Sequence, residues 1–327
     1  MNNFIKDTSY CFGENTVDVL ELQNQHEDWD LEASVKKTGV KYLHHASSNE
    51  TSSSLAYTAS KEILDKLEQD AKPDTIIVCT QTPDFTLPHC SALLQERLKL
   101  PTDTKCFDLN LGCSGFVYGL SIAYSMLVAH ISKSILLITA DTYSKIINSD
   151  DKTSFLLFSD AASCTLLEKP DTTYPFTFGT DGSAYDSIIY PMSGTNKIKK
   201  NNNYSSCLIN DEGCFEMNGY SVYLFTIGVI VEKIKDFMAE NNITIEDIDM
   251  LVLHQASLFV LKTIQDKLNI PDNKMLIDLE DVGNTSSSSI PIALKRAEVN
   301  GKIKQNDKVL LFGFGIGLSW SGTFINY

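Results

Sequence analysis

Buried strands and helices alternate along almost the whole chain, and this order constrains the fold more than any other feature. Apolar runs such as IIVCT (76–80) and SILLITAD (134–141) show no polar alternation, which is typical of strands covered on both faces. Helical patterns lie between them, and SGFVYGLSIAYSMLVAHI (114–131) is largely apolar. Strands that alternate with helices indicate an α/β protein whose sheets are buried between helical layers.

The second half of the chain repeats this order of elements. A helix, a strand, a second helix and two further strands are predicted there, at about 219–241, 248–255, 257–269, 275–279 and 308–314. Each half therefore places a strand, a tight polar turn and a helix around one singular residue, in the turns NLGCSG and LHQAS. The repeat is one of element order and not of sequence identity. We expect two halves, residues 1–170 and 171–327.

The charge balance and the cysteine pattern exclude several classes of protein. The 327 residues include 42 acidic and 27 basic ones, a formal net charge of −15. Such a chain is a poor binder of nucleic acid and of anionic membrane surfaces, since both attract basic proteins. The eight cysteines form no C-x-x-C pair, so no zinc site or thioredoxin-like motif is indicated. We therefore expect no metal. Because the sequence shows no secretory signal and no long apolar run, we expect a cytoplasmic protein.

Two residues are candidates for chemistry by position. Cys113 lies at the start of the predicted helix 114–131, between Gly112 and Gly115. The positive end of the helix dipole there favours a thiolate. His254 ends a buried strand, which places it at the edge of a sheet. The alternatives are a buried structural cysteine and a core histidine whose hydrogen bonds are satisfied.

Two further motifs are less specific when considered alone. Asn284, in DVGNTSSSS, precedes an apolar helix and is equally compatible with a helix cap or a turn. The stretch GFGIGLSWSG (313–322) indicates either a plain turn or a loop that offers backbone N–H groups to an anion. It lacks the Gly-Lys-Ser/Thr of a phosphate loop, so a nucleotide site is not indicated. The Asn- and Lys-rich residues 196–206 are predicted to form a surface excursion.

Taken together, these motifs resemble the ketoacyl-ACP synthase III family of thiolase-fold condensing enzymes. The matching stretches follow the family's order and spacing from about residue 29 to the end, and they are DLNLGCSGFVYGLSIA, FSDAAS, FEMNGYSVY, LVLHQAS, GNTSSSSIPIAL and FGIGLSW. The resemblance implies a five-layered αβαβα fold with duplicated halves, a homodimer, and a catalytic triad of Cys113, His254 and Asn284. It also implies acyl-CoA and acyl carrier protein as partners, phosphopantetheine thioesters as substrates, and no tightly bound cofactor.

The family's chemistry accounts for these residue types. A thiolate attacks an acyl thioester and retains the acyl group. The malonyl thioester then loses carbon dioxide, and His254 and Asn284 are expected to donate hydrogen bonds to the carbonyl where negative charge develops. A neutral amide suits this step better than the Asp of a hydrolase triad, which would repel the anion. The N–H groups of Cys113 and Ile316 are expected to bind the other oxyanion.

Substrate-binding positions of the family are retained less evenly. Trp29 matches a tryptophan that stacks on the coenzyme A adenine, and Lys152 replaces an arginine on the other side of that ring. Leu87 falls where an aromatic of the partner subunit caps the acyl pocket. The expected wall of the pantetheine tunnel consists of Met217, Gly219, Tyr223, Ala256 and Ser257, the last in place of the usual asparagine.

The surface expected to meet the carrier protein departs most from the family pattern. Leu224 and Phe259 replace basic residues, while Lys262, Lys267 and the lysines of 197–200 remain. This drift favours a specialised paralogue that docks its carrier through apolar contact. An acyltransferase that passes the Cys-bound acyl group to an oxygen or nitrogen acceptor is the alternative. A non-catalytic partner subunit is disfavoured, because such subunits usually lack the nucleophile.

Overall fold

The computed structural model describes residues 3–68, 71–191, 193, 195 and 214–327. The strands in this part of the chain are β1 (Ile5–Phe12), β2 (Asn15–Asp18), β3 (Tyr42–His45), β4 (Thr75–Cys79), β5 (Lys105–Leu109), β6 (Ser134–Asp141), β7 (Ala161–Glu168), β8 (Phe176–Thr180), β9 (Ile188–Ile189), β10 (Glu216–Met217), β11 (Met250–Leu253), β12 (Lys308–Gly315) and β13 (Ser319–Asn326). The α-helices are α1 (Leu31–Thr38), α2 (Ser52–Leu64), α3 (Cys90–Arg97), α4 (Gly115–Val128), α5 (Lys152–Phe155), α6 (Gly219–Phe225), α7 (Val231–Glu240), α8 (Leu258–Leu268) and α9 (Ser289–Val299).

Two sheets form the centre of the molecule. The first has the strand order β1-β7-β6-β4-β5, with β4 parallel to β5 and β6 and with antiparallel pairs at β6–β7 and β7–β1. The second has the order β11-β12-β13-β8, with β11 parallel to β12 and the other pairs antiparallel. Every residue of β4 is buried, and β6 and β12 are buried beyond their first residue. Burial on both faces explains their unbroken apolar runs.

Helices separate the two sheets and cover them. Helix α4 lies between them and contacts β4 and β6 on one side and β12 and β13 on the other. Helix α9 is placed similarly, against β1, β7 and β11. Helices α2 and α3 cover the outer face of the first sheet, while α7 and α8 cover that of the second. The resulting αβαβα layers confirm the predicted fold class, and they explain why α4 is apolar on nearly all sides.

The long helix predicted at about 219–241 is confirmed, with one irregularity. Helix α6 passes without a break into a π-helical turn, Thr226–Ile230, and then into α7. Such turns widen the helix locally and are frequent near functional sites. Here the turn lies directly after the residues of α6 that face the cavity described below.

The strand predicted at 275–279 is wrong. Only Met275 pairs, in an isolated bridge with Leu251. The side chain of Gln255 then takes the place of a neighbouring strand, because its Nε2 donates to the carbonyl of Leu276 and its Oε1 accepts from the N–H of Asp278 at 2.8 Å. An apolar run reports burial, but it does not report whether a partner strand is adjacent.

Four other expectations concern the division of the chain into halves, its lysine-rich segment, membrane-spanning helices and metal sites. The first sheet ends at Glu168 and the second begins at Phe176, and the division into halves at residue 170 stays a prediction. Residues 196–206 and the lysines of 197–200 lie outside the described residues. None of the described helices combines the length and the apolar character needed to cross a bilayer. The described side chains also contain no cluster of three His, Cys, Asp or Glu residues suited to a metal.

Candidate active site

Cys113 lies in the turn between β5 and α4, at the inner layer of helices. Its side chain is 6% exposed. The glycines on either side are required by space and not by backbone angle. A Cβ on Gly112 would lie 2.4 Å from Oε1 of Gln81, and a Cβ on Gly115 would lie 2.2 Å from the sulfur of Cys79. The turn is therefore packed against β4 and the residues that follow it, which fixes the position of Cys113.

The glycine-rich motif of residues 313–322 passes directly over Cys113. A Cβ on Gly315 would lie 2.9 Å from the Cys113 sulfur, and one on Gly313 would lie 2.8 Å from the Cys113 carbonyl oxygen. The backbone N–H groups of Ile316 and of Cys113 itself donate to the sulfur. Small residues thus allow the second half of the chain to bring a backbone donor to the sulfur of Cys113 in the first half.

His254 directly follows β11, and its N–H still donates to the carbonyl of Phe312 on β12 at 2.9 Å. The ring is 2% exposed, its Nδ1 lies 2.7 Å from Oγ of Ser289, and the ring of Phe314 packs against it edge-on. Burial lowers the pKa of His254 to about 3, opposed in part by a hydrogen bond with the Ser286 backbone. The imidazole is therefore neutral at physiological pH, with one donor and one acceptor nitrogen.

Asn284 is held by its backbone and by its side chain. The backbone pairs with the segment before β7, through N–H to the Leu157 carbonyl at 2.9 Å and through the Asn284 carbonyl to the N–H of Ser159 at 3.0 Å. The side-chain Oδ1 accepts from the N–H of Ser286 at 2.9 Å. This bond turns the amide so that Nδ2 is its donor, weakly bonded to the Ala256 carbonyl at 3.4 Å. A substrate oxygen can compete for such a donor.

The expected thiolate at Cys113 is wrong for the folded protein. Burial raises the pKa of the Cys113 thiol to about 12, although the hydroxyl of Ser286 and the N–H of Ile316 act in the opposite direction. A helix N-terminus contributes at most about 2 kcal/mol, or roughly 1.5 pKa units. Desolvation of the anion therefore outweighs the helix dipole, and the thiol is protonated at neutral pH.

A cavity of about 710 Å³ joins Cys113, His254 and Asn284, which all line it. The other predicted substrate and oxyanion positions that line the same cavity are Lys152, Met217, Gly219, Tyr223, Ala256, Ser257 and Ile316. The structure thus brings together ten positions that are widely separated in the sequence. Their contributions come from both halves of the chain.

Two predicted positions are not brought to this cavity. Trp29 is 9% exposed, and its ring is stacked on His26 at a centroid distance of 3.7 Å. The cavity wall nearby is formed instead by α1, from which Ala33 and Lys37 contribute. Leu87 is 84% exposed and does not line the cavity of its own chain.

Two buried residues next to Cys113, His254 and Asn284 were not predicted from the sequence. Ser286 and Tyr143 are fully buried, and neither lines the cavity. Ser286 lies two residues after Asn284 in a run of four serines, a signal that was available in the sequence. Tyr143 lies in an ordinary segment after β6, and no local pattern distinguishes it.

Comparisons with known proteins agree with this geometry. A family described as 3-oxoacyl-(acyl-carrier-protein) synthase III matches residues 107–182, and the C-terminal domain of the same family matches residues 238–327. A beta-ketoacyl-(acyl-carrier-protein) synthase III of Clostridium perfringens is 34% identical over 293 residues, covering 88% of each chain. The Clostridium novyi protein of the same name is 31% identical over 332 residues, covering 99% of this chain and 98% of its own.

Solved structures give the same result for the fold. A crystal structure of a 3-oxoacyl-(acyl-carrier-protein) synthase III superposes with a TM-score of 0.92 at 34% identity, over 99% of both chains. A 3-oxoacyl-(acyl-carrier-protein) synthase of Burkholderia xenovorans LB400 superposes with a TM-score of 0.90 at 26% identity, over 100% of this chain and 94% of that one. This chain belongs to the 3-oxoacyl-(acyl-carrier-protein) synthase III family.

Proposed function

We propose that this protein condenses an acyl-CoA starter with a malonyl thioester on acyl carrier protein, with loss of carbon dioxide. The observation that carries the proposal is the convergence of Cys113, His254 and Asn284 on a single cavity. The nucleophile comes from the first half of the chain and the two hydrogen-bonding groups come from the second. Catalytic roles for these residues are part of the proposal.

The first half-reaction transfers the acyl group to Cys113. The sulfur attacks the thioester carbonyl, a new C–S bond forms, and coenzyme A leaves as a thiol with the proton that Cys113 gives up. The backbone N–H groups of Cys113 and Ile316, which donate to the sulfur, lie where they can bind the oxyanion of this step. Because the resting thiol is protonated, deprotonation accompanies substrate binding or attack rather than preceding it.

The second half-reaction uses the two neutral groups. The bond between the malonyl carboxylate and the α-carbon breaks, carbon dioxide leaves, and the electron pair forms an enolate. His254 and the Nδ2 of Asn284 donate to the enolate oxygen. The α-carbon then attacks the carbonyl carbon of the acyl-Cys113 thioester, the bond from that carbon to sulfur breaks, and the Cys113 sulfur leaves and takes up one proton from solvent. The pKa of His254, about 3, keeps this ring from acting as a cation.

The walls of the cavity suit a phosphopantetheine thioester. Met217, Tyr223 and Ala256 supply an apolar side for the pantetheine arm, while Lys37 and Lys152 line the same cavity and can bind phosphate groups. With Ala33 on the wall and Trp29 stacked on His26, adenine stacking on Trp29 is not part of the proposal. Ser257 caps α8 through the N–H of Val260 and also lines the cavity.

The mouth of the cavity is proposed to bind acyl carrier protein through apolar contact. Tyr220 and Leu224 are four residues apart on α6 and share a face, and Phe259 lies beside them with its ring stacked on Tyr223 at 5.3 Å. We name Tyr220, Leu224 and Phe259 the apolar rim. Lys262 forms an ion pair with Asp272 at 3.0 Å, so its charge is partly satisfied within the chain.

A homodimer is also part of the proposal. Phe85 and Leu87 are 56% and 84% exposed in one loop after β4, and such side chains are typically covered in an assembly. In that assembly Leu87 would cap the acyl pocket of the partner subunit. The test is the mass of the particle in solution for wild type and for Leu87→Ser.

Intact-mass measurement tests the proposed function. Wild type incubated with a panel of acyl-CoAs should gain the mass of the acyl group, and the modified peptide should contain Cys113. The Cys113→Ala variant should gain none. An acyl adduct that persists on Cys113→Ala would overturn the assignment of the nucleophile. Stable acylation without malonyl decarboxylation would instead favour transfer to an oxygen or nitrogen acceptor.

A further inference from the structure

Ser286 contacts all three members of the triad. Its Oγ lies 3.8 Å from the sulfur of Cys113, its N–H donates to Oδ1 of Asn284 at 2.9 Å, and its backbone forms a hydrogen bond with the ring of His254. Ser286 is fully buried and has a φ of +50°, in the left-handed region that non-glycine residues seldom adopt. A residue held in this conformation at the centre of a site points to a functional constraint.

Tyr143 lies next to the hydroxyl of Ser286 and supports it. The Tyr143 hydroxyl donates to Oε1 of Gln81 at 3.1 Å, and it lies close enough to the Ser286 side chain for that side chain to oppose the rise in the Tyr143 pKa that burial causes. The rings of Phe158 and Phe215 pack on the Tyr143 ring at centroid distances of 5.1 and 5.4 Å. Tyr143 therefore has little freedom to move, and its hydroxyl is a fixed support for Ser286.

The chain of hydrogen bonds has a direction. Oε1 of Gln81 can only accept, because it is the carbonyl oxygen of an amide whose Nε2 donates to Asn110 at 3.3 Å. The Tyr143 O–H therefore donates to Gln81, and its oxygen is left to accept from the O–H of Ser286. The oxygen of Ser286 is then left to accept from the S–H of Cys113.

We propose that Ser286 and Tyr143 are positioning residues that fix the direction of the Cys113 S–H bond. The S–H bond points toward Ser286, which does not line the cavity, so the sulfur lone pairs lie on the side that faces the cavity and the N–H groups of Cys113 and Ile316. When the proton leaves, the Ser286 hydroxyl can rotate and donate to the sulfur anion, and the Tyr143 hydroxyl can donate to Ser286 in turn. The same backbone segment keeps Asn284 and His254 in place. This inference refines the proposed function, and its test by single-turnover acylation rests on that function.

The experiment compares three variants with wild type. Ser286→Ala removes the hydroxyl that bonds to sulfur, and Tyr143→Phe removes its support while keeping the ring. Ser288→Ala is the matched control, since Ser288 is fully buried in the same serine run but bonds to Thr139 and not to the triad. Ser286→Gly accompanies Ser286→Ala, because glycine adopts a positive φ without strain. The readouts are single-turnover acylation by acyl-CoA and alkylation of Cys113 by iodoacetamide at several pH values.

We expect Ser286→Ala and Ser286→Gly to slow acylation about tenfold at saturating acyl-CoA, and Tyr143→Phe to slow it about threefold, in line with the loss of one hydrogen bond. The concentration of acyl-CoA giving half the maximal rate should not change. Alkylation should slow in the same order, and Ser288→Ala should match wild type in both assays.

Equal rates for Ser286→Gly and Ser288→Ala would overturn the inference. The alkylation readout separates this failure from a failure of the proposed function, because iodoacetamide needs no acyl-CoA. If wild type forms no acyl adduct but the Ser286 variants are alkylated more slowly, the proposed function falls and the positioning role stands. If acylation occurs and alkylation is unaffected by both Ser286 variants, only the positioning role falls.

Discussion

The floor and the mouth of the cavity are built in opposite ways. At the floor, Cys113 and Asn284 are 6% and 4% exposed and are fixed by hydrogen bonds from both halves of the chain. At the mouth, the apolar rim leaves Tyr220, Leu224 and Phe259 exposed by 72%, 47% and 46%. Fixed donors suit chemistry, because they need no reorganisation when charge develops. Exposed apolar side chains suit a partner that arrives and leaves.

This difference separates the rate of the chemical steps, which depends on the floor, from association with the partner, which depends on the mouth. Substitutions at the floor should change the rate of bond making and breaking while leaving association unaffected. Substitutions at the mouth should change association and its dependence on salt.

The largest effect is expected at the floor, for the donors to the enolate. His254→Ala and Asn284→Ala should still acquire an acyl group from acyl-CoA, but they should lose malonyl decarboxylation by roughly 10²–10³-fold, the usual loss for one oxyanion donor. Asn284→Asp keeps an acceptor for the Ser286 N–H and replaces the donor by a negative charge, so it should lose at least as much. The measurement is carbon dioxide release alongside intact mass. Equal loss of both half-reactions would indicate general-base catalysis and favour the acyltransferase alternative.

An intermediate effect is expected for the reactivity of the Cys113 thiol. A rise in pKa from 9.0 to about 12 lowers the thiolate fraction at pH 7 about 10³-fold. The more basic thiolate is intrinsically more nucleophilic, by about 20-fold. Alkylation at pH 7 should therefore be about 50-fold slower than for an exposed thiol.

Thr153→Cys supplies that exposed thiol, since Thr153 lies at the exposed edge of the same cavity. Because the pKa is raised, the rate at Cys113 should keep rising about tenfold per pH unit from pH 7 to 10. Burial and the nearby Asp141 carboxylate both act in this direction. A plateau by pH 8 would show a stabilised thiolate and contradict the account of burial at the floor.

The smallest effect is expected at the mouth. Wild type should show a carrier-dependent kcat/KM that changes only about twofold with salt, because the apolar rim rather than charge makes the contact. Phe259→Arg should steepen the salt dependence, since it adds a positive charge that meets an acidic carrier. Val299→Arg, an exposed position at the end of α9, is the control and should behave like wild type. A steep fall with salt in wild type would assign docking to lysines.

The sequence predicted an α/β protein with buried sheets from its apolar runs, while the five layers and the meeting of Cys113, His254 and Asn284 were implied by the resemblance of its motifs to the family. It did not predict the pKa of Cys113, because desolvation depends on what the second half of the chain places over the thiol. The family resemblance implied that Trp29 stacks on adenine; in the structure Asp30 and Ala33 line the cavity and Trp29 does not, and that role of Trp29 stays a prediction. The support from Tyr143 was invisible in the local pattern, since its partners come from distant segments.

The central claim is that an acyl group on Cys113 is consumed by a carbanion made through decarboxylation. The most direct measurement loads wild type with an acyl group, removes free acyl-CoA, and adds malonyl-acyl carrier protein. The account predicts that each acyl group lost from Cys113 is matched by one carbon dioxide released and one 3-oxoacyl product on the carrier. Loss of the acyl group to a hydroxyl or amine acceptor without release of carbon dioxide would contradict it.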